Sequence, residues 1–213
     1  MKVNLLQPER PPPSPEIHAF VAVHYDDDLL DEVAALAERL RGDARLSGAT
    51  WYDPNFYRST IQFFLRTTEA QRARLLAFVD ELAAMVSSSS SGPALVRPAR
   101  VNGLISAAEA LVVVLDVEDV PPGTVLTALR ARAEAEHIAF GHAPSTLLRP
   151  LSLLLARVRS PVDVSDLAGE AASLPTGRLT AISLYVSSAV QIGDVHNRYD
   201  RVMTVPLSPD VEP

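Results

Sequence analysis

Apolar and polar positions alternate along residues 17–25, IHAFVAVHY, the two-residue period of a half-buried strand. The period then lengthens. Across DDDLLDEVAALAERLRG, Leu29, Val33, Leu36 and Leu40 fall on one helical face, with acidic residues in the first turn and a glycine stop. A second strand is expected over Tyr57–Leu65. The helix after RTTEAQ has Thr67 or Thr68 as its cap and Ala73, Leu76, Val79, Ala83 and Val86 as its apolar stripe. SSSSSG, residues 87–92, reads as a polar break between lobes. Beyond it the order nearly repeats. Strands are expected around Leu95–Ile105 and Leu111–Val117, then a helix from about Pro121 to His137. The loop FGHAPSTLLRP, the apolar strand LSLLLARV and two last strands near Leu179–Ser188 and Tyr199–Leu207 complete the chain.

This order predicts an α+β protein: a two-lobed β-α-β duplication with largely antiparallel sheets around a central cleft. The lobes cover about 17–86 and 93–213 of a single domain whose sheets are free to exchange terminal strands. Residues 1–16, with Pro11, Pro12, Pro13 and Pro15, are expected to form an extended arm.

Composition narrows the function. The 213 residues carry a formal charge of −7, which disfavours a large nucleic-acid footprint. The only lysine is Lys2, so nearly every cation is a guanidinium that does not titrate near neutrality. The absence of cysteine removes disulfides, thiolate nucleophiles and cysteine metal sites. The histidines show no zinc-binding spacing, and no glycine-rich phosphate loop or G-x-S-x-G elbow is present, so no metal or cofactor is expected. No run approaches the roughly 18 apolar residues of a bilayer span, and the start lacks a signal-peptide core; a cytoplasmic location is expected.

AFVAVHYDDDLLDEVAALAERL resembles the opening strand and helix of the two-histidine phosphoesterases, the superfamily of bacterial 2′,5′-RNA ligases and 2′,3′-cyclic nucleotide phosphodiesterases. WYDPNFYRSTIQFFL is similar to their tryptophan, proline turn and first His-x-Thr strand, and LSLLLARV to the second such strand. LTAISLYVSS and YDRVMTVPL resemble their closing strands. The resemblance covers most of the chain. It places Arg58 and Thr60 at the first motif and Ser152 and Leu154 at the second, so that only Thr60 keeps the family's identity. The family reaction needs one histidine to take a proton from the attacking oxygen and another to protonate the leaving oxygen. An arginine does neither at neutral pH, and a serine without a partner base has no useful pKa. Phosphodiester hydrolysis is therefore expected to be lost.

Strand alternation then assigns the cleft lining. With Ala19, Val21 and Val23 facing the helices, His18, Phe20 and His24 point to the cleft. With Ser59, Ile61 and Phe63 facing the helices, Arg58, Thr60, Gln62 and Phe64 point to it, together with Ser152, Leu154, Ser183 and Tyr185. Such a lining suits an anion with an apolar or planar body: Arg58, Thr60, Gln62 and Ser152 hold the charge, and Phe20 and Phe64 contact the rest. His18 and Tyr185 are the candidates for moving protons. His24, His137, His142 and His196 are expected to be structural or solvated. The leading expectation is a diverged protein that binds an anionic small molecule or nucleotide. The alternatives are a repurposed biosynthetic enzyme (isomerase, cyclase or hydrolase) and an RNA-binding protein using Arg149 and Arg157 at the cleft rim.

Overall fold

The computed structural model describes residues 17–89, 93–105, 111–144, 151–158, 162–187 and 199–207. Among the described residues there are eight strands: β1 (Ala19–Tyr25), β2 (Thr50–Trp51), β3 (Ser59–Phe64), β4 (Leu95–Ile105), β5 (Leu111–Val120), β6 (Leu151–Val158), β7 (Gly177–Ser187) and β8 (Tyr199–Pro206). Three α-helices lie between them: α1 (Asp27–Arg41), α2 (Glu69–Ser89) and α3 (Val125–Ala139). Short 3-10 turns occupy Ala44–Leu46, Pro54–Phe56 and Ser165–Ser173. The expected proline arm lies outside the described residues.

Every strand pairing is antiparallel, in the order β1-β3-β6-β5-β4-β7-β8, with β2 on β6. β1 also pairs with β7 along its whole length, so β1 is hydrogen-bonded on both edges. This mixed α/β, antiparallel architecture agrees with the fold class read from the sequence.

The main core lies on one side of the strands, where Ala19, Val21, Val23, Leu153, Leu155, Ile182 and Leu184 meet the helices. Leu29, Val33, Leu36 and Leu40 of α1 are buried as their spacing predicts. Each such side chain contributes about 1.5–3 kcal/mol of burial. The stripe expected on α2 is rotated: Leu75, Phe78, Val79, Leu82, Ala83 and Val86 are buried while Leu76 is exposed. Thr68 is the residue that caps α2. Its hydroxyl accepts from the Gln71 N–H at 3.2 Å and the Gln71 side chain accepts from the Thr68 N–H at 2.9 Å, a reciprocal capping box. Ser87–Ser89 extend α2 rather than starting a linker. Asp119 anchors α3 by accepting from the Leu126 N–H at 2.7 Å and the Thr127 N–H at 3.3 Å.

Candidate functional site: a guanidinium cleft

The other face of the strands carries a small cluster of Phe20, Ala22 and Tyr185 with Tyr199 against it. What joins this face is decided by a bulge in β3. Thr60 pairs with Ala22 but Gln62 pairs with Val21, leaving Ile61 as an extra residue. A bulge of one residue reverses the alternation beyond it. Phe63 therefore pairs with Phe20 on the cleft face, with ring centroids 5.1 Å apart, and is 45% exposed. Phe64 pairs with Ala19 and is fully buried against Phe78, His137 and Phe140. The expectation that Phe64 lines the cleft is corrected: Phe64 is in the core, and Phe63 is the ring that shares the face of Phe20 and Tyr185. Gln62, opposite the core residue Val21, likewise follows the helix-facing phase, and its amide donates to the Phe63 carbonyl. Thr60 keeps the cleft face.

Arg58 lies just ahead of β3. The Pro54–Phe56 turn, capped by Asp53 accepting from the Asn55 N–H at 2.9 Å, leads into buried Tyr57, and Arg58 follows it. The Tyr25 hydroxyl bonds to Ser59 Oγ at 2.6 Å in the core, fixing the start of the strand. The guanidinium carbon of Arg58 sits 4.2 Å from the ring centre of Tyr185 and 5.6 Å from those of Phe20 and Phe56. Phe20 and Tyr185 stack beside it at 4.7 Å and 7°. Among the described residues its one hydrogen bond is a long one, 3.4 Å, to the Phe56 carbonyl, and it has no carboxylate partner. Burial lowers its pKa, and Arg201 adds to that, against an opposing effect of Tyr185.

His24 belongs to the same group, although its position near the end of β1 suggests only a structural role. Its Nε2 lies 2.8 Å from Ser183 Oγ and 3.5 Å from the Tyr185 hydroxyl, and Ser183 Oγ is 2.8 Å from Thr204 Oγ1. Burial, then the positive charges of Arg201 and Arg58, lower its pKa to about 4, so the ring is neutral at pH 7. Strand alternation read from the sequence does not bring Arg201, Tyr199, Thr204 or Phe63 to the cleft. Arg201 pairs with Tyr185 across the β7–β8 ladder and so shares its face.

Ser152 occupies a second, separate polar group. β3 and β6 meet at the pair Ser59–Leu153, whose two side chains are buried, so on the other face Thr60 lies beside Ser152 and Arg58 beside Leu154. Arg58 and Ser152 are thus diagonal neighbours across the strand pair, a separation of about 7–8 Å. Ser152 Oγ donates to Asp116 at 3.2 Å, and the other oxygen of that buried carboxylate accepts from Arg100 Nε at 2.8 Å. Leu154, 44% exposed, adds an apolar wall.

His18 stands at the entry to β1. Its Nδ1 accepts from the Arg66 N–H at 3.2 Å and its own N–H donates to Ser187 Oγ at 2.8 Å. Those bonds brace the strand ends. His137 and His142 stack at 4.5 Å on the helix side, beside Phe64 rather than over the cleft. Arg157 is exposed on β6; Arg149 and His196 lie outside the described residues. Among the described residues no three metal-ligating side chains gather, and no helix is long and apolar enough to cross a membrane.

No family model matches the chain, and no curated protein matches it in sequence. Solved structures do match in backbone. The chain is similar to E. coli LigT complexed with 3′-AMP, at 12% identity and a TM-score of 0.59 over 91% of this chain and 99% of that one. It is similar to TT0787 of Thermus thermophilus, at 16% identity and a TM-score of 0.63 over 89% and 97%. A structure described as a phosphoesterase matches at 12% identity and a TM-score of 0.57 over 92% and 100%. From one end of the described strands to the other, this chain carries the fold of the LigT-like two-histidine phosphoesterases.

Proposed function

We propose that the chain binds an anionic small molecule or nucleotide in this cleft and has lost two-histidine phosphodiester hydrolysis. The observation that carries the reading is the Arg58 guanidinium: half-buried, facing the cleft, and without a carboxylate partner among the described residues. A guanidinium offers five N–H donors in a fixed fork, and four of those of Arg58 are unused by the described residues. An anion held there gains charge-assisted hydrogen bonds, while Phe20, Phe63 and Tyr185 give a planar body its contacts. At the motif positions implied by the resemblance, Arg58 is a permanent cation and Ser152 is tied to a carboxylate already held by Arg100. Neither group exchanges a proton as an imidazole does. The net charge of −7 weighs against extended RNA as the ligand.

Calorimetric titration with 3′-AMP and incubation with 2′,3′-cyclic AMP test the two halves. Saturable binding without ring opening is expected. No binding, or ring opening that disappears in Arg58→Ala, would contradict the reading.

The chain of Tyr185, His24, Ser183 and Thr204 favours one second reading, an enzyme that moves protons on an organic substrate. It predicts that Tyr185→Phe leaves anion affinity intact while abolishing turnover.

A further inference from the structure

The charge of the ligand's head is legible from the groups around it. His24 of β1 follows the Val23–Ser59 pair and so lies opposite Arg58, and Arg201 of β8 pairs with Tyr185, whose ring centre is 4.2 Å from the Arg58 guanidinium carbon; the charges of both arginines reach His24. Neither arginine has a carboxylate partner among the described residues. The other polar groups on His24 are Ser183 and Tyr185 from β7, with Thr204 of β8 bonded to Ser183 behind them, and among the described residues no carboxylate is among the charges that act on it. Two like charges, one of them half-buried, are unfavourable together until an anion joins them. A phosphodiester brings one negative charge. A terminal phosphate monoester brings about two at pH 7, as phosphorylated side chains do. One charge offsets one guanidinium; two offset both. Across the strand pair Arg58 lies beside Leu154, an apolar neighbour.

We propose that Arg58, Arg201 and His24 together receive the dianionic head of a phosphate monoester, so that the cleft prefers a monoester to the corresponding diester. This rests on the anion-binding reading above and goes beyond it in fixing the class of ligand. No covalent bond is made or broken.

The pair 3′-AMP and 2′,3′-cyclic AMP shares one body and differs in head charge. Calorimetry at pH 7 is expected to show 3′-AMP binding about tenfold tighter. Imidazole NMR, assigned with His24→Gln, is expected to show the ring titrating near 4 in the free protein and about two units higher when saturated with 3′-AMP. Arg201→Gln, at an exposed position on β8, should keep the fold and shrink the preference to within about threefold. If neither nucleotide binds, the anion-binding reading falls and this inference with it. If both bind within about threefold of each other, or if His24 does not move, the anion-binding reading stands and this inference is overturned.

Discussion

Replacing Arg58 with alanine separates ligand binding from stability. In the free protein the side chain contributes one long hydrogen bond and a cation–π contact at 4.2 Å, together about 1 kcal/mol at a partly desolvated site. Burial of the charge and the like charge of Arg201 act in the opposite direction. The net change in stability should lie within about 1 kcal/mol, a shift of about 2–4 °C or less in Tm for a chain of this size. The ligand loses far more. Bonds from a guanidinium to an anion are worth about 1.5–3 kcal/mol, which is about 10- to 150-fold in Kd. Differential scanning calorimetry and isothermal titration with 3′-AMP on the same preparations measure both quantities. Binding to wild-type protein should also weaken as salt is raised, and binding to the variant should respond less. A fall in Tm above about 8 °C with unchanged affinity would make Arg58 a structural residue and refute the reasoning.

Three further outcomes follow from the geometry. Phe64→Ala should destabilise the protein by about 3–5 kcal/mol in urea unfolding, while Phe63→Ala, on the open face, should stay under about 1 kcal/mol; equal effects would contradict the bulge at Ile61. Asp119→Ala should lose about 1–2 kcal/mol by freeing the first N–H groups of α3, measured in the same assay, and a neutral result would contradict that anchor. Because the folded-state pKa of His24 is lowered from 6.5 to about 4, its stabilisation is present above pH 6.5 and is lost as pH falls through that window. The shift corresponds to about 3 kcal/mol at most, or about 1–2 after solvent screening of a partly exposed ring, and His24→Gln should flatten that part of the stability–pH curve.

Local period carried much of the fold into view. β1 and α1 were readable because one alternates without interruption and the other has a single apolar face. The face that Arg58 takes, shared with Phe20 and Tyr185, is the one expected from the resemblance and the strand frame together. The side chains beyond Ile61 do not follow that frame, because a bulge is set by the partner strand and shifts the phase by one residue. α2 misled for a related reason: Leu75, Leu76, Phe78 and Val79 offer two overlapping stripes, and tertiary packing selects between them. The role of His24 was invisible because its partners, Ser183 and Tyr185, lie 159 and 161 residues away in sequence. The serines from Ser87 to Ser89 are helical because they continue a helix already nucleated, which weak propensity does not stop.

The most direct test of the central claim is a crystal structure with 3′-AMP bound. The account predicts the phosphate on the Arg58 guanidinium, between it and Arg201, with the base against Phe20, Phe63 or Tyr185. A phosphate bound instead at Ser152 and Arg100, or a nucleotide outside the cleft, would contradict it.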